Sequence, residues 1–157
     1  MVKKSGTKSK LVVRGFIRGQ LVENGRVVGD SGWVQNKLTN DGLTDLARLA
    51  GAVAGSYAVG YAQLGTQTDA VDMSQTDLSG GVNSFIALNL ATSGTCTLTC
   101  TASFSSSDLA ASCEVGAAGL FKTNSAGSMF AMQTFATSAW ATNQDFNLTY
   151  QIRFATA

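Results

Sequence analysis

The strongest constraint on this chain is a strict two-residue alternation near its end. Phe146, Leu148, Tyr150, Ile152 and Phe154 fall on one side, and Asn147, Thr149, Gln151 and Arg153 on the other. Successive side chains of a β-strand point to opposite faces, so only a strand turns that spacing into one apolar and one polar face. The same period recurs in Cys96, Leu98, Cys100, Ala102 and Phe104, which alternate with Thr97, Thr99, Thr101 and Ser103. It appears again near the start, where Leu11, Val13, Ile17 and Leu21 oppose Val12, Arg14, Phe16, Arg18 and Gln20.

Asn24-Gly25 follows that first run, and Asn-Gly between apolar stretches predicts a tight hairpin. The return strand should run from Arg26 to about Val34, with Gly29 and Gly32 allowing a bulge. Further strands are expected over Tyr57–Gln63, Phe85–Leu90, residues 112–121 and Met129–Phe135, and residues 66–83 read as a long polar loop. One helix is predicted near residues 40–50, capped by Thr39 or Asn40, favoured by Asp41 and Asp45, and closed by Gly51. Its stripe of Leu43, Leu46, Ala47 and Ala50, supported by Leu49, should lie against a sheet, because so short a helix is unstable alone. The fold class expected is mainly β: an antiparallel β-sandwich, jelly-roll-like, of about eight strands with one short helix. Residues 1–10 should form a basic flexible arm and 11–157 a single β-sandwich domain.

Composition narrows function. Only 13% of the 157 residues are charged and His is absent, which removes Ser-His-Asp and Cys-His nucleophile systems and His metal sites. The net charge of +1 conceals a division. Residues 1–26 carry seven basic groups against Glu23 alone, a net of +6, and the remainder carries a net of −5. Arg14 and Arg18 interrupt the first apolar run, so the start does not read as a secretion signal. The uncharged stretch Leu49–Ala62 is too short to span a bilayer. The expectation is a protein made inside a cell with reduced thiols and no membrane partner.

The remaining motifs read as structural. The glycines at 51, 55, 60 and 65 match neither phosphate-loop pattern. Asp69, Asp72 and Asp77 share one polar loop and could offer oxygens to Ca²⁺, but their spacing is not that of an EF-hand, and a solvated loop is the simpler reading. Glu114 has no close partner for paired-carboxylate catalysis and reads as a carboxylate hydrogen-bonded to backbone N–H groups. Cys96 and Cys100, four apart on a strand, would stand about 13 Å apart, too far for a disulfide. With Cys113 they read as small buried hydrophobes rather than metal ligands. Asn147-Leu-Thr149 matches a glycosylation sequon but lies inside a strand. No catalytic residue, metal or cofactor is expected, and the protein is not expected to be an enzyme.

The basic arm is the feature that implies a partner. Lys3, Lys4, Lys8 and Lys10, continued by Arg14 and Arg18, could meet an acidic protein surface, or simply solubilise a tail. Without interleaved aromatics they make a weak nucleic-acid signature.

The chain also has a recognisable order of signals. Trp33, Asn36, Leu38-Thr39-Asn40 and Gly42-Leu43 are followed by Tyr61 and Gly65-Thr66. Then come Glu114-Val-Gly116, Gly119-Leu120-Phe121, and Leu148, Tyr150, Ile152 and Phe154. Across about residues 33–154 this resembles small virion structural proteins of tailed bacteriophages, a group of capsid decoration and fibre-type β-sandwich proteins. It departs from that pattern where Ala117 and Ala118 intervene before Gly119. The resemblance implies a β-sandwich that works by assembly and transfers no catalytic residue. The leading expectation is a capsid decoration (cement) protein of the virion, a homo-oligomer with a trimer favoured, anchored to the major capsid protein by its basic arm. The first alternative is a fibre or receptor-binding component, with Trp33, Tyr57, Tyr61 or Trp140 stacking on host glycans. The second is a self-assembling coat protein with the basic arm turned inward.

Overall fold

The hairpin that Asn24-Gly25 predicts opens the fold. In the computed structural model, which describes residues 10–93, 96–109 and 111–156, β1 (Leu11–Glu23) turns into β2 (Arg26–Asp30) through these two residues. Asn24 has φ +49° and Gly25 φ +75°, the left-handed pair that a type I′ turn requires. The register between β1 and β2 slips at Leu21/Val22, the bulge that the glycines of this strand allow.

The chain continues through β3 (Val34–Leu38), α1 (Asn40–Ala50), β4 (Tyr61–Gly65), β5 (Ile86–Ala87), β6 (Asn89–Ser93), β7 (Thr97–Phe104), β8 (Cys113–Phe121), β9 (Met129–Trp140) and β10 (Asp145–Thr156). All pairings are antiparallel, in the order β5-β4-β8-β9-β3-β1-β10-β7-β6, with β2 also on β1. Two segments bend this sheet nearly shut. Residues 34–36 of β3 pair with β1 while 37–38 pair with β9. On the far side, β5 pairs with β4 and β6 pairs with β7, and Leu88 alone separates them. The two ends of the sheet are thus one stretch of chain, and the result is a nearly closed, barrel-like, mainly antiparallel sheet. The strand count exceeds the eight expected because the return strand breaks at Ser31–Trp33 and the 86–93 stretch kinks at Leu88.

The alternating apolar residues meet inside. Ile17, Leu21, Cys100, Ala102, Phe104 and the inward residues of β10 face Leu64, Val115, Ala118 and Leu120 across one core. Phe104, Trp140 and Phe146 make edge-to-face contacts at one end, with ring centroids 6.1–6.4 Å apart.

The barrel's two walls differ on their outer sides. Outside β4, β8 and β9 lies a second apolar cluster, Ala117, Phe121, Met129 and Met132, covered by Val71 and Leu78 from the 66–85 connection. Phe85 meets Phe121 edge-on at 4.9 Å. Val115–Phe121 is therefore buried on both faces. The segment read as a solvated loop is a covering layer, held by Thr66 N to Gly80 O (3.0 Å) and Lys37 Nζ to Val71 O (3.3 Å). Nothing among the described residues covers the outward side chains of β1, β10, β7 and β6.

Helix α1 departs from expectation. Thr39 caps it, its Oγ1 accepting from Gly42 N at 3.0 Å. Its buried residues, however, are Gly42 and Asp45 rather than the leucines. A Cβ at residue 42 would overlap the Phe130 carbonyl, so glycine lets the helix approach β9 closely on that face. Of the apolar stripe, Leu46 is half-buried against the core, while Leu43, Ala47, Leu49 and Ala50 are left exposed.

Candidate functional site

Of the predicted anchoring residues, Lys3, Lys4 and Lys8 lie outside the described residues, and Lys10 is exposed where β1 begins. Arg14 and Arg18 sit on the outward face of β1. Arg18 is engaged: its guanidinium grips Asp30, with Nε 3.0 Å from Oδ1. Hydrogen bonding from Arg18, aided by Gly32 N and Gln20 Nε2, holds the Asp30 carboxyl far below the usual carboxylate range.

The aromatic candidates do not converge. Trp33 is exposed, its ring centroid 6.0 Å from the Arg18 guanidinium carbon. Tyr57 has the Arg48 guanidinium over its ring at 4.9 Å and donates to the Ala54 carbonyl at 3.2 Å. Tyr61 packs against the second apolar cluster. Trp140 is not a surface residue: it is fully buried at the end of β9, and its Nε1 donates to the Gln144 carbonyl at 2.7 Å. β9 runs on past Phe135, and an irregularity in its pairing with β8 between Thr134 and Ser138 breaks the alternation, so that Trp140 turns inward as well.

The other polar candidates resolve locally. Asp72 accepts from Ser74 N (2.8 Å) and Ser74 Oγ (2.9 Å), which lower its pKa, and Asp77 accepts from Leu78 N (2.9 Å). Asp69 is exposed, and no group of three His, Cys, Asp or Glu among the described residues is arranged to hold a metal. Glu114 is exposed and, contrary to expectation, bonds no backbone N–H among the described residues. The three cysteines are free. Cys100 is buried, and burial pushes its thiol up to about 12. Cys96, expected to be buried, is exposed in a turn with φ +54°.

The site that does take shape was only half legible in the sequence. At the end of the barrel opposite the Phe104–Trp140–Phe146 cluster, Leu11, Val13 and Phe154 face Leu43, Leu46 and Leu49 of α1 across an open cleft of about 560 Å³. Leu11 is 67% exposed, Leu49 46% and Leu43 41%. The apolar stripe was readable; its outward direction was not, because that depends on which helix face carries the groups that hold it to the barrel. One of these is Asp45. Its buried carboxylate meets Lys122 Nζ at 2.9 Å and Arg48 at 3.5 Å, as ion pairs rather than aligned hydrogen bonds. Lys122 lies just past β8, far away in sequence, and a buried carboxylate needs such a partner.

Comparison of the chain with protein-family models, curated proteins and solved structures gives no match.

Proposed function

We propose that this protein is a structural component of a tailed-bacteriophage virion, a decoration (cement) protein that docks on the major capsid shell. The observation that carries the reading is the open apolar cleft at the root of the basic N-terminal segment. Leucines left in solvent on two adjacent elements mark an interaction face more often than a tolerated surface. The cationic stretch of residues 1–10 leads straight into Leu11. The occupant assigned to the cleft is an apolar ridge of the shell protein with carboxylates at its rim, which meet Lys10 and the lysines before it. A basic segment bound beside the cleft raises the effective concentration of the second contact.

The finer architectural reading belongs to the same proposal: β3 and the 86–93 stretch act as corners between two facing layers of a jelly-roll-like sandwich. So does a homo-oligomeric state with a trimer favoured. The fibre reading is weaker on its original residues, since Trp140 is interior and Tyr57 is covered by Arg48.

The test is occupancy on purified virions. Deletion of residues 1–10 and the exposed-site variant Leu49→Glu should each reduce the amount of protein retained, while circular dichroism stays that of the parent. Full occupancy by both variants would falsify the decoration reading. Closed particles formed on expression of this chain alone would favour a self-assembling coat instead.

A further inference from the structure

The outward face of the uncovered wall is a lattice fixed by strand register. Across β1, β10 and β7, Phe16 is in line with Gln151 and Thr99, Arg18 with Thr149 and Thr101, and Gln20 with Asn147 and Ser103. One row differs: Arg14 is the direct cross-strand partner of Arg153. Like charges placed directly opposite each other destabilise a sheet, and these outward positions hold no carboxylate to offset the pair. Of the acids near this wall, Asp30 on β2 is taken by Arg18, and Asp145 at the start of β10 accepts from Ser106 N at 2.9 Å.

The two guanidiniums differ in how they are held. Arg153 lies 4.7 Å over the Phe16 ring, and its Nε and Nη2 donate to Gln151 Oε1 at 3.2 and 2.6 Å. Stacked below and braced at the side by a neutral amide, it is pre-oriented, and no carboxylate among the described residues pairs with it. Arg14 is exposed, and no hydrogen bond or ion pair among the described residues reaches it. The two arginines stand opposite each other on one row of the ladder, and a guanidinium pair of like charge is a natural receiver of an oxyanion, which charge-assisted bonds bind well.

Shallow depressions flank Arg153. One, of about 410 Å³, is lined by Ser93, Thr97, Thr99 and Gln151. The other, of about 330 Å³, lies beside Val12, Phe16 and Thr156. We propose that Arg14 and Arg153 form a binding site for the oxyanion of an acidic saccharide, with its ring hydroxyls received by the threonine and amide floor of this wall. The chemistry disfavours other anions. A sheet face, unlike an edge, offers no backbone groups for adding a peptide strand. Phe16, the aromatic ring beside this row, is covered by Arg153 and offers a nucleobase no open face there, while the exposed Trp33 lies beside Arg18 instead. The site is distinct from the cleft and holds whether or not the cleft docks a capsid shell.

The test is titration calorimetry on the whole protein at low ionic strength. The probes are an oligogalacturonate, its neutral methyl ester, inorganic sulfate, a poly-glutamate peptide and single-stranded DNA. The oligogalacturonate should bind and the ester should not. Arg14→Gln and Arg153→Gln should each weaken binding by about tenfold or more, the loss of one charge-assisted pair. Arg26→Gln, on the hairpin, should bind as the parent does, and all three variants should keep the parent's circular dichroism. No binding of oligogalacturonate, or binding unchanged in Arg14→Gln and Arg153→Gln, overturns the proposal. Equal or tighter binding of the peptide or DNA through the same arginines also overturns it and hands the site to that partner.

Discussion

The two walls of the barrel are built from similar strands and finished differently. On the β4-β8-β9 wall, every residue from Val115 to Phe121 is buried, because Val71, Leu78 and Phe85 cover its outer side. On the β1-β10-β7-β6 wall, burial is confined to the inward residues of β1, β10 and β7, β6 is exposed throughout, and threonines, amides and arginines face solvent. A polypeptide of this length can seal one side of a barrel with its own connections. Here it spends the 66–85 segment on one wall and leaves the other as the larger unclaimed surface. Stability should therefore concentrate on the covered wall and recognition on the open one.

That contrast can be broken at its strongest point first. Phe121→Ala removes a ring packed between β8 and the covering segment and should lower unfolding free energy by about 3–5 kcal/mol, read by chemical denaturation. A cost below about 1 kcal/mol would mean that the covering layer is not packed as a core. The next effect lies on the inner side of the open wall. Burial raises the Cys100 thiol, so above about pH 9 the unfolded chain releases a proton that the folded barrel retains. Stability should then fall as pH climbs from 9 toward 12, and Tyr150, also raised by burial and by Cys100, adds to the loss above about pH 10. Cys100→Ala should cost about 1–2 kcal/mol at pH 7 but decline less steeply between pH 8 and 10.5 in thermal melts. Parallel declines would assign the alkaline loss elsewhere. The smallest effect is expected outside: Thr101→Ala should change stability by less than about 0.5 kcal/mol, and a larger loss would mean that the open face carries structural load.

Legibility followed the same division. β10 and β7 read directly from alternation, because one face is wet and the other dry, and the Asn24-Gly25 turn was visible in two residues. β8 was found without its meaning: Val-Gly-Ala-Ala-Gly-Leu-Phe has no polar phase, since both its faces are covered, and alternation cannot say by what. Val71 and Leu78 were lost in a polar stretch where two apolar side chains make no period. Trp140 escapes the sequence pattern because β9 extends five residues past Phe135, through residues with no clear polar–apolar phase. The cleft depended on Gly42 meeting the Phe130 carbonyl and on Asp45 meeting Lys122. These contacts join residues about 80 or more positions apart, and no local pattern announces them. The Arg14–Arg153 pair needed the register of β1 on β10, which neither strand specifies alone.

That register has a kinetic side. Leu11 pairs with Thr156 and the ladder runs unbroken to Val22 and Asp145, so the first strand of the barrel to leave a ribosome must wait for the last. Most of the contacts that close the barrel are distant along the chain, an arrangement that slows folding and leaves half-made species with open edges. During that wait β1 displays Arg14 and Arg18 on one side and glycines at 15 and 19 on the other. Charge and weak strand propensity are both features that discourage an unpaired strand from joining the wrong neighbour. The arginines that mark the finished wall would thus serve earlier, as guards of an unfinished one.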